Sequence, residues 1–85
     1  MTVQISESEA SRVADNGVLI GTVEPTRDSK GAWSELYYYK GELISVVYSD
    51  PNDAWIVLGE KVEESEIEKY VDNYEKALLK LKEIK

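Results

Sequence analysis

The chain has 85 residues, no Cys, no His and a formal net charge of −7, from 17 acidic against 10 basic side chains. The length sets one domain, 1–85. The missing residue types exclude disulfides, thiolate or imidazole metal ligands and any His- or Cys-based triad, and the charge disfavours duplex nucleic acid, which is held by Lys and Arg that displace counterions.

A chain this short buries only about 60–65% of the surface its unfolded form exposes. Packing, with or without a second chain, must therefore stabilise it. No apolar run approaches the ~20 residues of a membrane helix and the first residues carry no signal-peptide pattern, so a cytoplasmic setting is expected. Eight lysines against two arginines, abundant Glu and no Cys form a composition also met in heat-adapted proteins.

Thr2–Ile5 alternates polar and apolar residues and reads as a short edge strand. Ser6, with Glu9 three residues on, is a capping box. Ala10, Val13 and Ala14 give a narrow apolar stripe and Asn16-Gly17 a stop signal, so a short helix is predicted near 7–15. The β-branched run VLIGTVE predicts a strand at 18–24, ended by Pro25. Residues 25–32 (PTRDSKGA) read as a polar loop. Two further strands, 33–39 and 42–49, meet at Lys40-Gly41, a two-residue hairpin turn. Ser49-Asp50-Pro51-Asn52-Asp53 is a second turn, and 54–59 the next strand. Ser65 and Glu68 form another capping box. Ile67, Tyr70, Val71, Tyr74, Ala77, Leu78, Leu81 and Ile84 then recur every three or four residues, predicting one long helix over about 66–83. Glu63, Glu64 and Glu66 lie at its start and Lys80, Lys82 and Lys85 at its end, as the helix dipole prefers. The expected architecture is a two-layer α+β domain, a meandering antiparallel sheet of three to four strands packed on the C-terminal helix.

Both tryptophans and four of the six tyrosines fall between Trp33 and Trp55. A turn at Lys40-Gly41 sets Tyr39 opposite Glu42, Tyr37 opposite Ile44 and Trp33 opposite Tyr48. A turn at Pro51-Asn52 would set Ser49 opposite Ala54, Tyr48 opposite Trp55 and Val46 opposite Val57. Directly opposed residues share a face. One face would then carry Trp33, Tyr37, Tyr39, Ile44, Val46, Tyr48, Trp55 and Val57. The other would carry Leu36, Tyr38, Leu43, Val47, Ile56 and Leu58. The C-terminal helix fits the second, aliphatic face, because smaller side chains let it approach closely. The three short apolar side chains of the N-terminal helix offer too little to hide the aromatic face, and an open Trp33–Tyr48–Trp55 row would rival the largest apolar patch of a typical monomer, ~300–600 Å². Three readings stay open: the aromatic face is the true core, both faces are covered within the chain, or the aromatic face meets another chain. A one-residue slip in either turn would exchange the faces.

Acidic residues dominate 42–69, with Glu42, Asp50, Asp53, Glu60, Glu63, Glu64, Glu66 and Glu68 against Lys61 and Lys69. A solvated helix start accounts for them; a docking surface for a basic groove is the sharper reading. Asp50-Pro51-Asn52-Asp53 carries oxygen ligands but is explained as a turn. The five glycines form no phosphate-binding pattern, and Gly21 and Gly59, in or beside strands, read as bulges or close packing. Ser34 and the tyrosines lack an activating base. The sequence therefore predicts no enzyme, cofactor or metal site.

The expected function is a small acidic non-catalytic protein-interaction module that dimerises or docks a partner through Trp33, Tyr37, Tyr39, Tyr48 and Trp55, or through a sheet edge. The alternative is an acidic inhibitor that mimics nucleic acid and fills a basic groove with Glu60, Glu63, Glu64, Glu66 and Glu68. A minor alternative stacks single-stranded bases on the aromatic row, although Glu35 and Glu42 share that face. The element order resembles several small folds, among them double-stranded-RNA-binding domains and roadblock/longin-type modules. That resemblance implies fold alone, since residues 60–68 are acidic where RNA binding needs a basic helix start.

Overall fold

The computed structural model describes residues 3–24, 33–49 and 56–84. The predicted loop 25–32, the turn at Asp50–Asp53, and Ala54 and Trp55 lie outside the described residues. The chain is α+β, in the order β1 (Val3–Ile5), α1 (Glu7–Asn16), β2 (Val18–Val23), β3 (Trp33–Tyr39), β4 (Glu42–Tyr48), β5 (Ile56–Val62), a 3-10 helix (Glu64–Tyr70) and α2 (Tyr74–Ile84). The strands form one antiparallel sheet in the order β1-β5-β4-β3-β2. The sheet thus has five strands instead of three to four. β1 and β2 occupy opposite edges, and α1 crosses a face between them, packing on β3, β4 and β5.

The helix α1 begins as its capping residues dictate. Ser6 is the N-cap, and its hydroxyl accepts a hydrogen bond from the Glu9 amide at 3.2 Å. It ends at Gly17, whose amide donates to the Val13 carbonyl. The β3–β4 hairpin has the predicted register, with Tyr39 opposite Glu42, Tyr37 opposite Ile44 and Trp33 opposite Tyr48. Its turn residues, Lys40 and Gly41, both take positive φ, 49° and 80°. That is the type I′ geometry whose twist matches the flanking strands.

The second hairpin departs from expectation. Val46 pairs with Gly59 instead of Val57, and Val47 with Leu58. The pairing therefore lies two residues further along β5, which is described over Ile56–Val62 and runs past the predicted end at 59. Gly59-Glu60 reads locally as a strand end, but Gly59 sits mid-strand between two partners, opposite Val46 on β4 and Ile5 on β1. A shift of two preserves which face each residue occupies. An irregularity between Val47 and Tyr48 then places Ile56 opposite Tyr48, in the cluster under α1 instead of on the aliphatic face.

Each face carries helical cover, so the two-layer expectation gives way to three layers. The 3-10 helix and α2 lie on the aliphatic face, where Leu36, Leu43, Val62, Ile67, Val71, Ala77 and Leu81 pack with Ile20. On the aromatic face α1 buries Tyr37, Ile44 and Val46 beneath Ala10 and Val13. Its small side chains suffice because the helix comes so near. A Cβ added at Gly59 would stand 2.8 Å from the Ala10 Cβ, so each lets the other in.

The single helix predicted over 66–83 is two. Glu64–Tyr70 is 3-10, Val71 is extended (φ −143°, ψ 147°) and buried, and α2 starts at Tyr74. The capping box predicted at Ser65 and Glu68 does not form, since the 3-10 helix starts at Glu64 with Glu63 as its cap residue and no side-chain cap bond. Asn73 caps α2 instead. Its Oδ1 accepts from the Lys76 amide at 3.0 Å and its carbonyl from the Ala77 amide at 3.1 Å. Ile67 and Tyr70 keep one side in either helix type, because a spacing of three suits both periods. The break lets Val71 dock on Gly21, where an added Cβ would be 2.6 Å from the Val71 Cγ1. No described helix is long and apolar enough to cross a membrane.

Candidate functional site

Of the predicted aromatic row, Trp33 and Tyr48 stack with ring centroids 4.9 Å apart and planes 16° from parallel. Both are partly buried, as is Tyr39, whose ring lies 5.3 Å from the Lys40 ammonium. Tyr37 is taken up by the core at 8% exposure. Its hydroxyl donates to Glu35 Oε1 at 2.8 Å. Burial first, and the Glu35 carboxylate second, push the Tyr37 phenol well above the usual tyrosine range. Burial raises Tyr48 as well. Trp55 lies outside the described residues. The structure thus brings Trp33, Tyr37, Tyr39 and Tyr48 onto one face, with α1 lying over part of it.

The acidic residues fall along the end of β5 and the 3-10 helix. Glu63, Glu64 and Glu68 are exposed, while Glu60 and Glu66 are partly buried. Glu66 pairs with Lys69 at a long 3.8 Å. Among the described residues, no three His, Cys, Asp or Glu side chains come together to hold a metal ion.

A concavity lies elsewhere among the described residues, between β2 and α2. It is an open cleft of about 710 Å³. Leu19 on β2 and Leu79 on α2 line it and stand 43% and 63% exposed, against the usual burial of large aliphatic side chains. Charged residues of both signs line it too, Glu24 and Glu83 with Lys76 and Lys80.

Asp72 also lines the cleft. Its amide donates to the Thr22 carbonyl at 2.8 Å, and its Oδ2 accepts from the Glu24 amide at 2.8 Å. One residue thereby pairs two outward groups of an edge strand, its carboxylate standing where a neighbouring strand would present a carbonyl. With the bulge between Leu19 and Gly21, this blunts the β2 edge against strand addition.

Leu19, Leu79 and Asp72 escaped the sequence reading. Leu79 carried a signal, for it stands off the apolar stripe of Ala77, Leu78 and Leu81. Leu19 carried none, because its exposure depends on β2 being an edge strand. No protein-family model matches the chain, and no curated protein or solved structure matches it.

Proposed function

We propose that the chain is a non-catalytic protein-interaction module. The observation that carries this reading is Leu79, 63% exposed on a cleft large enough to seat side chains of another protein. Apolar side chains held at the rim of a concavity gain by meeting a partner. The half-buried Trp33–Tyr48 stack is a second apolar surface that a partner could extend. Sedimentation velocity over a wide concentration range, combined with capture of partners on the immobilised chain, tests the proposal. Self-association or a specific, saturable partner supports it. A chain that stays monomeric and captures nothing specific ends it.

A second reading, occupation of a basic groove, is favoured by the exposure of Glu64 and Glu68 on one short helix and of Glu63 just before it. Binding of that kind would weaken steeply with salt and be abolished by replacing Glu63, Glu64, Glu66 and Glu68 with Gln. Affinity that survived those replacements would rule it out.

A further inference from the structure

We infer that α2 is a strap that opens as a unit while the sheet, α1 and the 3-10 helix stay folded; the inference stands apart from the interaction-module reading. The first observation is how little holds the helix. Of its 11 residues, Ala77 and Leu81 are buried, and Leu78 and Ile84 partly so. A helix shorter than about 12–15 residues is marginal in water by itself. Those few contacts therefore keep α2 both helical and in place.

The second is where it lies. α2 packs on β2, an edge strand, and on the 3-10 helix, so its departure breaks no strand pairing. Ile67 and Val71, which precede it in the chain, remain over the sheet. The opposite face is held by α1 over a separate cluster. Open concavities flank α2 on both sides. The cleft of about 710 Å³ toward β2 is lined by Lys76, Leu79, Lys80 and Glu83. Another of about 500 Å³, toward the 3-10 helix, is lined by Tyr74, Leu78 and Lys82. At about 100° per residue the two sets fall on opposite sides of the helix, so α2 touches the rest of the molecule along one narrow line.

The third is the hinge. Val71 is seated against Gly21, and Asp72 makes two hydrogen bonds to β2. The chain is thus pinned up to Asp72, and exposed Asn73 separates that anchor from the helix. Rotation there lifts α2 without disturbing what precedes it. Opening uncovers the part of the aliphatic cluster beneath Ala77 and Leu81 and joins the two flanking concavities into one trough. Elements that open below the global unfolding free energy are those with few buried apolar contacts, as here.

Native-state amide hydrogen exchange on the full chain at low denaturant concentrations tests this. The α2 amides from Ala77 to Ile84 should exchange together, with one shared denaturant slope smaller than that of β3 and β4, and about tenfold or more faster than the paired amides of those strands. Val13→Ala, under α1 on the far face, destabilises the closed and the opened molecule alike. It should speed the β3 and β4 amides and leave the α2 rate unchanged. Ile44→Val is the milder variant of the same kind, with a sheet acceleration of about two- to tenfold. Leu81→Ala, which loosens only the closed molecule, should speed α2 about thirtyfold or more and the sheet with it. If Val13→Ala or Ile44→Val speeds α2 as much as the sheet, α2 melts only with the whole molecule and the inference fails. Exchange graded inward from Ile84, without a shared slope, is fraying of a helix end and overturns it equally.

Discussion

Ser45 is 1% exposed on β4, and its hydroxyl has no hydrogen-bond partner among the described residues. A buried hydroxyl left unsatisfied is destabilising by roughly 1–3 kcal/mol. Ser45→Ala removes that penalty and leaves little void, so thermal melting should show equal or higher stability, by up to about 1 kcal/mol. Tyr37 makes the opposite case, a buried phenol with its partner, Glu35, in place. Its folded pKa lies above the unfolded value of about 10. The folded state therefore keeps its proton while the unfolded chain loses one. The contribution is fully present below about pH 10 and is lost as pH rises beyond it. Melting temperature should fall through the alkaline range, with tyrosinate absorbance appearing at unfolding. Tyr37→Phe should be less stable at neutral pH and show a shallower alkaline fall. The burial of Tyr37 was invisible in sequence, because it is set by α1 lying over that face.

At the scale of elements, the break between the 3-10 helix and α2 organises one side of the molecule. Gly21 admits Val71, whose Cγ1 would lie 2.6 Å from an added Cβ. Gly21→Ala should displace Val71 and lower stability by about 1–3 kcal/mol, as overpacking does, measurable by chemical denaturation. Asn73→Ala removes the side-chain cap of α2 and should be destabilising by about 1 kcal/mol, with Asn73→Ser recovering most of it. The β3–β4 hairpin and α1 were readable residue by residue, because a two-residue turn and a cap act within a few positions. The long helix misled for a definable reason: spacings of three and four continue through Asp72-Asn73, although those two residue types cap helices better than they extend them. Leu79, the one leucine off the stripe, marked the cleft without showing what lay across it.

For the whole molecule, charge is the dominant global quantity. The chain carries −7; of the ion pairs among the described residues, Lys61–Glu42 joins exposed side chains and Lys69–Glu66 is long at 3.8 Å, so each contributes little. Screening should then relieve more repulsion than it removes attraction. Melting temperature is expected to rise from low to moderate ionic strength; a fall would mean that attractive pairs outweigh self-repulsion.

The sequence by itself determined what local chemistry can determine: an α+β chain, the start and stop of α1, the β3–β4 register, and the sorting of the β3–β4 side chains into an aromatic and an aliphatic face, while which face the C-terminal helical region covers stayed open. Alternation along a strand, the geometry of a tight turn and helix capping suffice for all of these. Tertiary structure decided the rest: the five-strand order, the two-residue advance of β5, the close seating of α1, the interruption at Val71 and the exposure of Leu19 and Leu79. Each depends on contacts between distant segments, such as Gly59 with Ala10 and Gly21 with Val71, whose steric fit exists only after the chain has closed on itself.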